Sequence, residues 1–193
     1  MRTLLLIIGA ILPLYSSWVY AVSILKGETI PQRMTRFLMV VLTIVMTVSL
    51  WAAHDTSGIW LALVSFMQSV VLLGLSWKRG IGGTSWLDMA CLLLCIAGVG
   101  VWILADQPLV GLAASILADA IAMVPSLLKT IHMPHTENMW FYALDTLAGL
   151  AVVAAGPYGW REVVFPLYIV LINAVFVLVI RCSRDAVPAK LEA

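Results

Sequence analysis

Residues 3–24 read TLLLIIGAILPLYSSWVYAVSI, a stretch without a single charged side chain. About 20 mainly apolar residues are enough for a helix to cross the hydrocarbon core of a bilayer. Charged or turn-forming segments separate this stretch from six more that are mainly apolar, at 34–53, 58–76, 86–104, 108–128, 138–157 and 163–181. The sequence therefore predicts an all-α, polytopic membrane protein with seven transmembrane helices.

Composition leads to the same class. Of the 193 residues, 63% are hydrophobic and 11% are charged, which leaves too few polar side chains to cover the surface of a soluble domain. We expect the excess apolar surface to contact membrane lipids. The net charge of +1 excludes nucleic acid as a partner, because binding phosphates needs a basic patch. The three cysteines, Cys91, Cys95 and Cys182, form no disulfide framework, and we expect the first two to pack as small apolar residues on one face of a helix.

The loops between these spans differ sharply in positive charge. The loops after spans one, three and five and the C-terminal tail share one side, and they hold nine basic residues: Lys26, Arg33, Arg36, Lys78, Arg79, Lys129, Arg181, Arg184 and Lys190. The other side holds two, Arg2 and Arg161. Because loops rich in Lys and Arg stay in the cytoplasm, we expect a multi-pass protein of the inner or plasma membrane, with its N-terminus outside and its C-terminus in the cytoplasm. A secretory signal is the alternative for span one.

The chain also repeats itself at an offset of 103 residues. Residues 23–26, Ser-Ile-Leu-Lys, align with residues 126–129, Ser-Leu-Leu-Lys, and at the same offset Pro31 aligns with Pro134. Spans one to three thus correspond to spans five to seven, with span four left over. This 3+1+3 plan predicts a first three-helix repeat at 1–82, a linker helix at 83–106, a second repeat at 107–183 and a cytoplasmic tail at 184–193. In transporters with parallel repeats, the substrate binds between the repeats near the membrane midplane.

With these features the chain resembles the PQ-loop superfamily, which includes the SWEET sugar transporters and lysosomal amino-acid exporters. Residues 125–129, Pro-Ser-Leu-Leu-Lys, are similar to the proline-led motif that ends the first helix of a repeat. Ser126 replaces the glutamine of that motif, and the first repeat has Val22 in place of the proline. The resemblance implies alternating-access transport of a small solute such as a sugar or an amino acid, without cofactor or metal. It also implies that Pro13, Pro125 and Pro166 act as hinges, with a fixed kink in each helix as the alternative.

Polar residues inside the predicted spans mark the candidate site, since ionisable groups within a membrane are costly and are usually functional. Asp119 lies ten residues before Lys129, about 15 Å along a helix, which is close to the midplane. Asp145 and Asn173 fall at a similar depth in spans six and seven. Helical spacing adds Ser115 and Tyr142 on the same faces, and the first repeat contributes milder polarity. The predicted solute- or proton-binding residues are Asp119, Asp145, Asn173, Tyr142, Ser115, Ser16, Gln68 and Ser69.

Two other readings of these acids remain open. Asp119 and Asp145 also fit a structural role, as hydrogen-bond partners that hold the bundle together. A non-transporting accessory or receptor protein on the same scaffold is the alternative function, and the sequence leaves the oligomeric state open. An enzyme is not expected, because none of the catalytic motifs that we sought is present.

The acids and histidines near the ends of the spans were interpreted as solvent-exposed. His132, His135 and Glu137 cluster in the loop after span five, and we expect a solvated loop there rather than a metal site. Asp55, Asp88 and Asp106 are expected to be exposed residues of loops or of the membrane interface.

The charge asymmetry yields a direct prediction about topology. A reporter fused after Ala193 should report a cytoplasmic location, and one fused before Met1 an external location, because nine basic loop residues oppose two. Paired alkaline phosphatase and fluorescent protein fusions in bacterial cells measure this. If both termini report the same side, the count of seven spans is wrong.

Overall fold

The computed structural model describes residues 2–52, 56–83, 85–104, 108–156 and 160–186, and this part of the chain is all-α. It contains seven α-helices: α1 at Arg2–Lys26, α2 at Arg33–Ala52, α3 at Thr56–Arg79, α4 at Trp86–Leu104, α5 at Pro108–His132, α6 at Met139–Ala154 and α7 at Trp160–Ala186. A 3₁₀ turn covers Pro134–Thr136, and one isolated parallel β-bridge joins Gln32 to Ile81.

The helices follow the predicted spans to within five residues at either end, and the largest difference is at the end of α7, which continues to Ala186. α5 continues to His132, four residues beyond its predicted end, so Lys129 lies inside a helix rather than in a loop. The short break at Asp106 that predicted a tight hairpin lies outside the described residues, as does Asp55.

Two of the described helices are long and apolar enough to cross a membrane, Arg2–Lys26 and Pro166–Ala186. Only 11% and 17% of their most apolar windows are buried, so these helices are not the shielded core of a soluble domain. Large apolar side chains such as Trp18 and Leu171 are instead exposed, at 68% and 64%. Trp86–Val101 and Met139–Ala154 are apolar but shorter. The structure thus supports membrane association, while the multi-pass arrangement with seven spans stays a prediction.

The contacts divide the chain into two compact units. The first unit comprises Met1–Thr29 and Leu127–Ala193, and the second comprises Ile30–Ser126. In the first unit α1 packs on α6, and α6 packs on α7. In the second, α2 packs on α3 and α4. Compact units defined by contacts need not coincide with sequence repeats, so the predicted division at residues 82, 106 and 183 stays a prediction.

The core of the second unit is small and apolar. It consists of Met34, Leu38, Cys91, Cys95, Ala118 and Ala122. The two cysteines are free and buried and pack among these residues, as their spacing predicts. Gly98 allows α4 to approach α5, because a Cβ atom there would lie 3.2 Å from the Cβ atom of Ala118.

In the first unit α1 and α6 run antiparallel in one constant register. Gly9 contacts Val152, Ser16 contacts Asp145 and Tyr20 contacts Phe141, and in each pair the two residue numbers add up to 161. The approach is closest at Gly9, where a Cβ atom would lie 2.5 Å from Val152 Cγ2. A larger residue at position 9 would therefore require the Val152 side chain to move.

α1 ends in a Schellman motif. The amide of Glu28 donates to the Ser23 carbonyl at 3.0 Å and the amide of Gly27 donates to the Ile24 carbonyl at 3.1 Å. Gly27 has a φ of 78°, the left-handed conformation that glycine adopts at the end of a helix. This turn redirects the chain immediately after Lys26.

The register of α1 against α6 predicts an engineered disulfide. A Cβ atom at position 9 would lie 3.8 Å from the Cβ atom of Val152, which is the mean Cβ–Cβ separation across a disulfide bond. In a background where alanine or serine replaces Cys91, Cys95 and Cys182, the pair Gly9→Cys and Val152→Cys should therefore oxidise to near completion. Counting the remaining free thiols with a maleimide–polyethylene glycol reagent measures this. The control pairs Gly9→Cys with Leu147→Cys, whose side chain is 54% exposed, and should keep both thiols. Equal oxidation of the two pairs would contradict this register.

Candidate functional site

A hydrogen bond between Ser16 and Asp145 joins α1 to α6 in the apolar part of the first unit. The distance from Ser16 Oγ to Asp145 Oδ1 is 2.5 Å, within the range of O–H bonds to ionised carboxylates. Ser16 is completely buried, and Asp145 is partly buried. The Ser16 hydroxyl also lies 3.0 Å from the Pro13 carbonyl, and the shorter distance to the carboxylate marks Asp145 as its principal acceptor. Two residues that the sequence predicted for the site are thus in direct contact.

Asn173 lies at the same level of this unit on α7. Tyr142 stacks on Phe176 with ring centroids 4.3 Å apart and planes at 7°, and residue numbers in this pair add up to 318. The numbers of Asp145 and Asn173 also add up to 318, so the same antiparallel register places these two residues at one level. Asn173 is 5% exposed, and its amide nitrogen donates to the Ile169 carbonyl of its own helix at 2.9 Å. Ser16, Asp145 and Asn173 therefore form one polar layer, contributed by three helices, and we refer to these three residues as the polar layer.

Of the other predicted site residues, Tyr142 is buried in the first unit and four belong to the second unit. Asp119 is partly buried on α5, beside the core residue Ala118, and Gln68 and Ser69 are partly buried on α3. The side chain of Ser115 lies outside the described residues. The expected convergence of Asp119 with the polar layer therefore stays a prediction.

The predicted hinge prolines all lie within helices. Pro13, Pro125 and Pro166 are in the interior of α1, α5 and α7, which continue on both sides of them. Their role as hinges also stays a prediction.

Beyond the polar layer, towards the basic end of the unit, lies a buried ion pair. Lys129 Nζ is 3.0 Å from Glu137 Oε1, and the two side chains are 5% and 0% exposed. The other carboxylate oxygen, Oε2, accepts hydrogen bonds from the hydroxyls of Tyr20 at 3.4 Å and Tyr142 at 3.3 Å. Lys129 also donates to the Thr136 carbonyl at 3.1 Å. A buried ion pair is tolerated only when further hydrogen bonds complete its coordination, and here side chains of α1, α5 and α6 supply them.

This arrangement corrects the expectation of a solvated loop after span five. Glu137 is 1% exposed, because α7 closes over the segment that carries it. Arg184 donates from Nη2 to the Glu137 carbonyl at 2.8 Å and from Nε to the Pro134 carbonyl at 3.3 Å. The loop is thus held by α7 as well as by Lys129.

The two histidines near this loop differ in their surroundings. His132 is exposed, and its Nδ1 lies 2.8 Å from the Leu128 carbonyl. His135 lines a surface cleft together with Glu28, Glu137, Asn138 and Arg184. Among the described residues, no three of His, Cys, Asp or Glu gather as they would around a metal ion.

Asp88 was also expected to be exposed, and this is wrong, since it is 2% exposed. Its Oδ2 accepts from the amides of Gly83 at 2.8 Å and Ser85 at 3.2 Å, and the Ser85 hydroxyl accepts from the Asp88 amide at 3.1 Å. This is a capping box at the start of α4, with aspartate in the place usually held by glutamate. Gln32 donates to Oδ1 of the same carboxylate at 3.0 Å. Asp88 therefore fastens the loop before α2 to α4 in the second unit.

Sequence reasoning missed Glu137, Lys129 and Tyr20 as parts of the site. A spacing of eight residues across a proline-containing turn carries no helical periodicity, so Lys129 and Glu137 gave no sign of being paired. Tyr20 lies four residues after Ser16, on the same face of α1, and this spacing is the one signal that could have linked it to the site.

No family model, no curated protein and no solved structure matches the chain. Function is therefore argued from the residues and contacts described above.

The ion pair generates a prediction about stability. Glu137→Gln leaves the Lys129 ammonium buried without a compensating charge, and we expect a loss of about 3–5 kcal/mol in the free energy of unfolding. Replacing both partners by apolar residues, Lys129→Met with Glu137→Leu, should cost less than Glu137→Gln alone, because no charge is left behind. Thermal unfolding of the purified protein in detergent, followed by tryptophan fluorescence, measures both.

The matched control is Glu28→Gln, which removes an exposed carboxylate and should change the free energy of unfolding by at most about 0.5 kcal/mol. If Glu137→Gln proves as mild as this control, the ion pair does not stabilise the protein as its burial implies.

Proposed function

We propose that the chain is a multi-pass membrane transporter that moves a small polar solute by alternating access, with the polar layer of Ser16, Asp145 and Asn173 as part of its binding site. The observation that carries this proposal is the hydrogen bond between a buried serine and a carboxylate in the middle of apolar helices. An ionisable residue inside a membrane-spanning helix is by default interpreted as part of a functional site.

Charge supports a binding role for Asp145. In residues 3–25, 139–154 and 163–180, which form most of α1, α6 and α7, Asp145 is the only Asp, Glu, Lys, Arg or His. An aspartate at the centre of a membrane-spanning helix costs about 2.5–3.5 kcal/mol on insertion scales. Ser16 donates a hydrogen bond to this carboxylate. In the proposal a proton or a positively charged group of the solute binds the same carboxyl, which ties occupancy of the site to its protonation state.

Matched contacts inside the two units support the repeat and, through it, the resemblance to the PQ-loop superfamily. The Pro31 carbonyl accepts from the amide of Ile81 at 3.0 Å, and the Pro134 carbonyl accepts from the side chain of Arg184 at 3.3 Å. Both members of the second contact follow those of the first by 103 residues.

The helix register shows the same correspondence. The amide of Ser126 donates to Thr35 Oγ1 at 3.2 Å, and these two numbers add up to 161, like the pairs between α1 and α6. In this register Asp119 of the second unit stands opposite Leu42, just as Asp145 stands opposite Ser16 in the first. Each helix pair thus carries one acid at an equivalent place, on opposite partners.

For the mechanism, we propose that Asp119 and Asp145 take up and release a proton during transport. A carboxyl that carries a proton is neutral, so it can move within the apolar part of the protein. The charged form of the carboxyl is stabilised by donors such as Ser16 Oγ. Asn173 and Tyr142 offer hydrogen bonds to hydroxyl, carbonyl or amino groups of the solute. In this proposal the apolar faces of the seven helices contact lipid, and the basic ends of α1, α3, α5 and α7 lie in the cytoplasm of a cell bounded by the inner or plasma membrane.

The test uses proteoliposomes and a solute chosen by a thermal-shift screen of sugars and amino acids, since a ligand of the folded state raises stability. Wild-type protein should accumulate the radiolabelled solute when a pH gradient is imposed. Asp119→Asn and Asp145→Asn should each abolish this accumulation and leave exchange of solute intact, because the amide is similar in size to the acid but carries no titrating proton. Initial uptake rates with and without the gradient separate the two activities.

Asp185→Asn serves as the matched control, since Asp185 is an exposed acid in the last turn of α7, and it should transport like the wild type. Accumulation that survives both intramembrane substitutions, or wild-type transport that ignores the pH gradient, contradicts proton coupling. A wild-type protein that binds and moves no solute favours the accessory or receptor role on the same scaffold.

A further inference from the structure

Glu137 and the Ser16–Asp145 hydrogen bond belong to the same interface between α1 and α6. Tyr20 follows Ser16 by four residues on α1, and Tyr142 precedes Asp145 by three residues on α6. Residues three or four apart lie on one face of a helix, one above the other. The two tyrosine hydroxyls that meet at Glu137 Oε2 are therefore directly below the serine and the aspartate of the polar layer.

Aromatic packing fixes the rings that carry these hydroxyls. Tyr20 and Tyr142 are both completely buried. The ring of Phe141 lies between them, with its centroid 4.6 Å from that of Tyr20 and 5.0 Å from that of Tyr142. Tyr142 in turn stacks on Phe176 of α7. Because the rings are enclosed, any shift of α1 along α6 must move a tyrosine hydroxyl relative to the Glu137 carboxylate.

The ion pair determines where that carboxylate lies. Lys129 Nζ, from the last turns of α5, binds Oε1 at 3.0 Å, and Arg184 of α7 binds the backbone carbonyl of Glu137. Both attachments come from helices other than α1 and α6. The carboxylate is thus a fixed point against which the two tyrosines of the interface are aligned.

We propose that Glu137 is a positioning residue of the polar layer. Its carboxylate, held by Lys129, aligns Tyr20 with Tyr142 and thereby sets the register in which Ser16 meets Asp145. The inference rests on the proposed function only in treating the polar layer as the solute or proton site. The alignment itself is a property of the fold and can be measured without a solute.

The two tyrosine bonds have a readout other than stability. At 3.3 and 3.4 Å they are long for O–H···O hydrogen bonds, whose usual distance is about 2.7–2.8 Å, but their acceptor is a buried carboxylate, so removing both hydroxyls lowers the stability. The Lys129–Glu137 pair stays in a variant that lacks only the hydroxyls. A change in the Ser16–Asp145 bond of the folded protein is the effect that a merely structural role would not produce.

The experiment is infrared spectroscopy of the full-length protein reconstituted in lipid. The carboxyl band of Asp145 is assigned as the band that disappears in Asp145→Asn. Ser16→Ala removes the donor and gives the frequency of the unbonded side chain. The double variant Tyr20→Phe with Tyr142→Phe should shift the Asp145 band towards that frequency at a temperature at which the variant is fully folded. The matched control, Tyr15→Phe on the same helix, alters a side chain that is 55% exposed and should leave the band in place.

Each outcome decides the proposal. A band that stays at the wild-type frequency in the double variant overturns it, as does an equal shift in Tyr15→Phe or a band that Ser16→Ala does not move. If the double variant does not fold, Tyr20→Phe and Tyr142→Phe are measured singly, and each should shift the band part of the way. Failure of solute transport in proteoliposomes would leave these spectra unaffected, so the two proposals fail independently.

Discussion

The Glu137 carboxylate is where the helices of the first unit meet. It binds the Lys129 ammonium of α5 and the hydroxyls of Tyr20 on α1 and Tyr142 on α6, while Arg184 of α7 holds its backbone. Burying a charge is costly unless an opposite charge and further hydrogen bonds compensate it, and these groups supply both. Side chains of α1, α5, α6 and α7 therefore meet at this one residue.

Glu137 and Asp145 of the first unit have different surroundings. Glu137 has a lysine partner and precedes α6, where it lines a surface cleft. Asp145 lies within α6, six residues or about 9 Å after its first residue Met139, and accepts a hydrogen bond from Ser16. The counter-charge suits Glu137 to holding structure, and Asp145 is the residue for which a proton or solute role is proposed.

Part of this could be predicted from residue types and spacing. Hydropathy over windows of about 20 residues located all seven helices, because the length of an apolar helix is a local property of the chain. Asp145, Asn173 and Ser16 were found because polar residues are rare in apolar helices, so each one is conspicuous. The exposed state predicted for Glu137 and Asp88 was wrong for one reason in both cases. A charged residue beside a turn looks solvated in the sequence, and its burial depends on partners such as Lys129, Tyr20 and Gln32, which come from other helices.

The sequence by itself thus determined the all-α class, the approximate positions of the seven helices, the asymmetry of the basic residues and most of the polar residues inside the apolar segments. Only the tertiary structure decided which of those residues meet. It joined Ser16 to Asp145 across 129 positions and grouped α1 with α6 and α7 rather than with its neighbours in the chain. The physical reason is that helix formation is driven by local hydrogen bonds and hydropathy. The register between helices is instead set by close contacts, such as Gly9 against Val152, and by the need of each buried polar group for a partner.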